Sequence, residues 1–226
     1  MALTVINPRP LPKIRGVLFD MDGVILDSEK LYARFWMEAC HHFGFPMTRE
    51  QALTMRSANR KVGEARLQSY FGPEADYTQI RLKRIELMDA YIEINGVEAK
   101  PGIFQLMDAL NQMGISTAIT SSSPKERICA HLGSLNLLHR FDRICSVYEV
   151  PRGKPAPDIY LAGAAAIGVD PENCLAIEDS PAGIEAAWRA GCMPIIVPDQ
   201  DQPSNEVLSR CFARADSLFD VIELVK

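Results

Sequence analysis

Short apolar runs that resemble β-strands alternate with helix-like stretches through the second half of the chain. The predicted strands are residues 115–120, 143–147, 175–177 and 194–197, and the predicted helices are residues 124–136, 157–167 and 182–190. Strands that are joined through helices pair in parallel, and the helices then cover both faces of the sheet. The alternation therefore predicts an α/β fold built on a doubly wound, mostly parallel sheet.

A further apolar run at residues 17–19 ends in two acidic residues, Asp20 and Asp22, which are followed by a turn at Gly23. Residues two positions apart in an extended chain point to the same side, so both carboxylates can face one small volume. Two such charges repel each other unless a cation binds them or one takes up a proton. The pair alone is compatible with a reactive site and equally with an acidic turn after a strand.

Three more polar clusters lie at the ends of apolar runs or in the loops that follow them. They are Ser121-Ser122-Ser123-Pro124, Gly153-Lys154-Pro155-Ala156-Pro157-Asp158 and Glu178-Asp179-Ser180-Pro181. Ser123 is predicted to cap the helix that begins at Pro124. Ligands of parallel α/β sheets bind beyond the carboxyl ends of the strands, which is where all four clusters are expected.

Taken together, the four clusters resemble the motifs of the haloacid dehalogenase superfamily. The resemblance is to its helical-cap branch, which includes β-phosphoglucomutases and small-molecule phosphatases. All four motifs occur in order, and the resemblance spans residues 14–200. It implies a Rossmann-like catalytic core with an inserted α-helical cap domain.

The chain between the first and second polar clusters fits this insertion. It shows little strand-like alternation and instead predicts amphipathic helices, for example at residues 31–43 and 77–94. The core is then expected at residues 1–29 and 100–226, and the cap at residues 30–99. Opening of such a cap would admit substrate, and closure would exclude water.

The resemblance also implies the roles of individual residues. Asp20 would be the nucleophile that forms an aspartyl-phosphate, and Asp22 would be the general acid and base. Lys154 would pair with Asp20 and neutralise charge on a phosphoryl oxygen. Ser121 would hydrogen-bond another phosphoryl oxygen, and its neighbour Thr120 is the alternative for that role.

Mg²⁺ is the cofactor that the resemblance implies. The carboxylates of Asp20 and Asp179 and the main-chain carbonyl of Asp22 would bind it, and Glu178 would accept hydrogen bonds from metal-bound water. Hard oxygen ligands of this kind are those that Mg²⁺ prefers.

The reaction expected within the superfamily is phosphoryl transfer, because dehalogenases generally lack the second acid of the first motif and Asp22 is present here. β-Phosphoglucomutases usually carry a Thr and a His where this chain has Ser28 and Tyr32. We therefore predict a phosphatase acting on a small organic phosphate, such as a sugar phosphate. A phosphosugar mutase and a non-catalytic ligand-binding protein are the alternatives.

Substrate contacts are predicted less directly, from loops and helices near the motifs. The candidates are Ser28, Arg56, Arg60 and Ser122. For the two arginines, an ordinary solvated helix face is the competing interpretation. The substrate itself and the oligomeric state stay open.

Composition excludes several classes of partner. The chain has 226 residues and a net charge of −5, and without a long basic run this argues against a general nucleic-acid surface. No apolar run approaches the roughly 18 residues of a membrane span. The start of the chain lacks the features of a secretory signal, and its six cysteines include no CxxC pair, so a reduced, cytoplasmic protein is expected.

Overall fold

The computed structural model describes residues 3–8, 13–55, 60–198 and 202–226. The chain divides into two compact units. The first unit consists of Met1–Asp27 and Glu98–Lys226, and the second consists of Ser28–Val97.

The described part of the first unit contains the strands β1 (Thr4–Val5), β2 (Gly16–Phe19), β3 (Ser116–Ser121), β4 (Arg143–Ser146), β5 (Cys174–Glu178), β6 (Met193–Ile196) and β7 (Ala213–Arg214). They form one sheet in the order β1-β7-β6-β5-β2-β3-β4, and every neighbouring pair is parallel except β1 with β7. This confirms the predicted α/β fold. The sequence does not predict β1 and β7, because a strand of two residues carries no periodicity.

The described residues of the second unit form the helices α1 (Glu29–His42), α2 (Arg49–Thr54), α3 (Arg60–Phe71) and α4 (Tyr77–Asn95). Helix α1 packs against α4, and side chains such as Trp36, Leu67 and Ile80 form a buried core. Helix α4 begins where the carboxylate of Asp76 accepts the backbone N–H groups of Thr78 and Gln79. No helix in the described parts of either unit is both long and apolar enough to cross a bilayer.

The remaining helices belong to the first unit and lie between or after its strands. They are α5 (Ile103–Gln112), α6 (Lys125–Ser134), α7 (Asp158–Ala166), α8 (Pro181–Arg189), α9 (Asn205–Leu208) and α10 (Leu218–Val225). The helices predicted at 124–136, 157–167 and 182–190 are therefore present as α6, α7 and α8. The first two are slightly shorter than predicted, and α8 begins and ends one residue earlier.

Strand β2 lies at the centre of the sheet, between β5 and β3, and all four of its residues are buried. Leu18 joins a core cluster with Tyr160 of α7 and Ala186 of α8. Val17 and Phe19, which alternate with Leu18, are also fully buried. Both faces of the strand are therefore covered, as is typical of a parallel sheet.

The two segments that lead out of the first unit run antiparallel beside each other. Leu26 forms a β-bridge with Ala99, and the N–H of Asp27 donates to the carbonyl of Glu98 at 2.8 Å. Lys100 and Asp27 form an ion pair at 3.4 Å. These bonds hold the ends of the first unit's two chain segments together at the point where the second unit is inserted.

Candidate active site

The carboxyl ends of β2, β3 and β5 meet at one edge of the sheet, because these three strands are parallel neighbours. The N–H of Asp20 donates to the carbonyl of Ile177 at 3.0 Å, which extends the β2–β5 ladder by one residue. On the other side, the hydroxyl of Thr120 donates to the carbonyl of Phe19 at 3.2 Å. The polar residues that follow the strands are therefore held close together.

A tight turn follows Asp20 and determines where Asp22 lies. The N–H of Ile25 donates to the carbonyl of Met21 at 2.9 Å, and the N–H of Gly23 donates to the carbonyl of Leu26 at 3.0 Å. Gly23 has φ +82°, a conformation that is energetically unfavourable for residues that carry a β-carbon. This requirement explains the glycine of the first motif.

Lys154 reaches the same edge of the sheet from the loop between β4 and α7. Its Nζ donates to Oδ1 of Asp20 and to Oε1 of Glu178, both at 2.6 Å, and its side chain is only 7% exposed. The ammonium therefore bridges two buried carboxylates.

The pKa values of Asp20 and Lys154 are both raised, but for different reasons. Burial raises the pKa of Asp20 to about 7, with Glu178 adding to the shift and Lys154 opposing it. Burial disfavours the charged form of Lys154, but Asp20 and Glu178 outweigh this and raise its pKa. The site thus has more negative charge than one lysine neutralises.

The donors at this edge fit a hard divalent cation. Oxygen atoms of Asp20, Glu178 and Asp179 lie within 4.8 Å of one another, and the first two residues are buried. Carboxylates in such a cluster suit Mg²⁺. Among the described residues, the Asp22 carboxylate is not part of this cluster, and the predicted use of its main-chain carbonyl stays a prediction.

Glu178 accepts protein hydrogen bonds on both of its oxygens. Oε1 accepts from Nζ of Lys154 and from the hydroxyl of Tyr160, and Oε2 accepts from the hydroxyl of Ser180 at 2.9 Å. The residue is fully buried. Sequence reasoning anticipated contacts with metal-bound water for Glu178, and it missed these direct bonds.

The glycine of the last motif makes room for this carboxylate. A β-carbon placed on Gly183 would lie 1.8 Å from Oε1 of Glu178. The N–H of Gly183 also donates to the hydroxyl of Ser180, the N-cap of α8, at 3.1 Å. Helix α8 can therefore begin directly against Glu178.

Comparison with known proteins agrees with this geometry. The family model described as haloacid dehalogenase-like hydrolase matches residues 14–191. The chain belongs to the haloacid dehalogenase-like hydrolase family. It is accordingly an enzyme.

Relatives of this haloacid dehalogenase-like hydrolase include both phosphatases and mutases. Hexitol phosphatase A of Escherichia coli (strain K12) is 33% identical, over 86% of this chain and 89% of that protein. β-Phosphoglucomutase of Bacillus subtilis (strain 168) is 29% identical, over 84% and 85%. A variant of CbbY from Rhodobacter sphaeroides, solved in complex with xylulose-(1,5)bisphosphate, is 26% identical with a TM-score of 0.74, over 91% and 95%.

The serine cluster at the end of β3 lies at the same edge of this hydrolase's sheet. Ser121 is buried, and its oxygen accepts the N–H of Ser123 at 3.1 Å, which leaves its own hydrogen to donate. Thr120 already donates to the β2 backbone, so Ser121 is the better placed of the two for a phosphoryl contact. Ser122 is exposed.

The predicted capping role of Ser123 is wrong. Helix α6 has Pro124 at its N-cap position and no side-chain cap. The hydroxyl of Ser123 instead donates to Oδ2 of Asp22 at 3.4 Å. The serine contacts an acidic residue of the first motif because the loop turns toward the end of β2 before the helix begins.

The other predicted substrate contacts belong to the second unit. Ser28 is buried at the N-cap position of α1. Arg60 is exposed at the start of α3, where it donates to the hydroxyl of Thr78 at 3.2 Å. Arg56 lies outside the described residues. A substrate contact by any of these residues stays a prediction.

Proposed function

We propose that this protein is a Mg²⁺-dependent phosphatase that hydrolyses a small organic phosphate, most simply a sugar or polyol phosphate. The observation that carries the proposal is the position of Lys154, whose Nζ lies 2.6 Å from both Asp20 and Glu178 beside the Asp179 carboxylate. A lysine held against a nucleophilic carboxylate can neutralise a phosphoryl group as that group is attacked.

In the proposed reaction, an oxygen of Asp20 attacks phosphorus, and the bond from phosphorus to the ester oxygen breaks. Asp22 gives its proton to the departing oxygen, which leaves as the alcohol. Asp22 then takes a proton from the water that attacks the aspartyl-phosphate. Inorganic phosphate is released, and the free carboxylate of Asp20 is regenerated.

Asp20, Asp179 and the carbonyl of Asp22 would hold Mg²⁺, with Glu178 beside them. The cation, when bound, supplies positive charge that reduces repulsion between a phosphate and the carboxylate nucleophile. Lys154 and the hydroxyl of Ser121 would orient the phosphoryl oxygens. The free, buried thiols are compatible with a reducing compartment such as the cytoplasm.

Two kinds of relative bear on the substrate class. The similarity to hexitol phosphatase A and to CbbY supports a phosphorylated sugar or polyol as substrate. The similarity to β-phosphoglucomutase supports a phosphosugar mutase as the second candidate. Ser28 and Tyr32, which stand where mutases usually carry Thr and His, favour the phosphatase.

The test is phosphate release from a panel of sugar, polyol and other small phosphoesters, with Mg²⁺ and with EDTA. We expect release with Mg²⁺ and none with EDTA. Asp20→Asn should lower kcat at least about a thousandfold because it removes the nucleophile. Asp108→Asn, the same change at an exposed aspartate on α5 that pairs with Arg140, is the matched control.

The mutase is tested in the same assay with β-glucose 1-phosphate and its bisphosphate activator. Rapid formation of glucose 6-phosphate with little free phosphate would show that the protein is a mutase and not a phosphatase. Turnover by Asp20→Asn at the wild-type rate would contradict the mechanism for either reaction.

A further inference from the structure

The hydroxyl of Tyr160 lies inside the candidate active site. Tyr160 is the third residue of α7 and is fully buried. Its hydroxyl donates to Oε1 of Glu178, the oxygen that also accepts Nζ of Lys154. Its ring centre lies 5.2 Å from Nζ of Lys154. One side chain therefore contacts both charged partners.

Lys154 is shared between two carboxylates at the same distance, 2.6 Å. A buried donor that points at one carboxylate oxygen reduces the negative charge available there and fixes the orientation of the carboxylate. The Tyr160 hydroxyl does this at Glu178. Among the residues that the structure describes, Lys154 is the one side-chain donor to Oδ1 of Asp20, so the hydroxyl biases the sharing of the ammonium toward Asp20.

We propose that Tyr160 is a positioning residue, whose hydroxyl holds Glu178 so that Lys154 remains against Asp20. The inference rests on the proposed function and adds to it a residue outside the four motifs. Without the hydroxyl, Oε1 of Glu178 would carry more charge and draw Nζ away from Asp20. The Asp20 carboxylate would then be less neutralised by the ammonium, and the lysine would be less well placed to meet a phosphoryl oxygen.

Tyr160→Phe tests this, since it removes the hydroxyl and keeps the ring beside Lys154. The first readout is the affinity for Mn²⁺ without substrate, followed by electron paramagnetic resonance. We expect Mn²⁺ to bind about threefold or more tightly, because less of the negative charge near the cation is neutralised. The second readout is kcat for phosphate release, which should fall about tenfold.

The opposite signs of the two changes separate positioning from damage to the fold. A loosened site would lose Mn²⁺ affinity together with activity. Tyr70→Phe is the matched control, because it removes a hydroxyl that bonds the hydroxyl of Thr54 at 2.9 Å in the second unit. It should leave both readouts unchanged, and thermal unfolding should show that both variants fold.

Unchanged Mn²⁺ affinity and kcat in Tyr160→Phe would overturn the proposal, as would weaker Mn²⁺ binding. If the wild-type protein releases phosphate from no substrate, the proposed function fails. The Mn²⁺ measurement, which needs no substrate, would still decide whether the Tyr160 hydroxyl controls the charge of the cluster.

Discussion

Gly183 lies closer to the side chain of Glu178 than any residue with a β-carbon could. A β-carbon on Gly183 would overlap the carboxylate of Glu178, and this carboxylate is bonded to Lys154, Tyr160 and Ser180. Relief of the overlap requires Glu178 to move or helix α8 to shift. Movement of Glu178 would disturb its bond with Lys154, and a shift of α8 would disturb the bond from Ser180 that holds Glu178.

We therefore expect Gly183→Ala to destabilise the protein by about 1–3 kcal/mol and to abolish most phosphate release. Gly133→Ala is the matched control, since Gly133 is exposed on α6 and nothing lies within 4 Å of its added β-carbon. That change should be neutral or stabilising by up to about 1 kcal/mol. Melting temperature and phosphate release of both variants provide the check. Equal behaviour of the two would show that the site tolerates displacement of Glu178.

At this scale, the sequence predicts residues whose type and spacing are unusual and misses those that look ordinary. Asp20 and Glu178 stand out as charges at the ends of apolar runs, and Lys154 stands in a proline-rich loop. The structure brings the three into contact. Tyr160 lies in the apolar stretch of α7, where an aromatic residue is expected to be part of the core. The packing of α7 against the sheet carries its hydroxyl to Glu178.

The start of helix α4 illustrates how one residue stabilises an element. The carboxylate of Asp76 accepts the N–H groups of Thr78 and Gln79. The hydrogen bond from the backbone N–H of Gln79 is the main reason why the pKa of Asp76 lies below its ordinary value of 3.8. Because the folded-state pKa is depressed, this stabilisation is present above the unfolded pKa and is lost as pH falls through the folded value.

We expect Asp76→Ala to lower the urea midpoint of the second unit at pH 7 and to lower it progressively less as pH falls toward 3. Trp36 packs against Tyr77 at 5.8 Å between ring centres, so its fluorescence reports on this helix in a Trp188→Phe background. Glu74→Ala removes the same charge from an exposed neighbour and should have little effect at any pH. If Asp76→Ala lowered the urea midpoint by the same amount at every pH, the charge of the Asp76 carboxylate would contribute nothing to the stability of the helix.

Elements were predictable where periodicity or caps mark them. The helix predicted at 77–94 is α4, and the predicted strand at 194–197 is β6, each within one residue at either end. The cap of α6 was predicted wrongly, because Ser123 meets Asp22 across the sheet edge instead of bonding its own helix. A contact between residues about a hundred positions apart leaves no local trace in a sequence.

For the whole molecule, the alternation of strands and helices was enough to predict the parallel sheet. The order of strands was not predictable from it, because β2 comes early in the chain yet lies between β5 and β3. That placement depends on burial: β2 is apolar on both faces, so the centre of the sheet is where it loses the most contact with water.

The cysteines report on this burial across both units. All six lie in the described part of the chain and none forms a disulfide bond; five are buried, and Cys129 on α6 is partly exposed. Burial raises the pKa of Cys40, Cys174 and Cys211 to about 12. At pH 8 such thiols are almost entirely protonated, and only the thiolate reacts with disulfide reagents.

Ellman's reagent at pH 8 should therefore modify one thiol of the native protein rapidly and all six after denaturation in urea. Cys129→Ser should remove the rapid phase and leave the total at five, whereas Cys211→Ser should keep the rapid phase. Two or more rapidly reacting thiols in the native protein would contradict the prediction. They would show that local opening exposes a buried cysteine to the reagent. In the expected case, the reaction rate of the slow thiols measures how often the core opens.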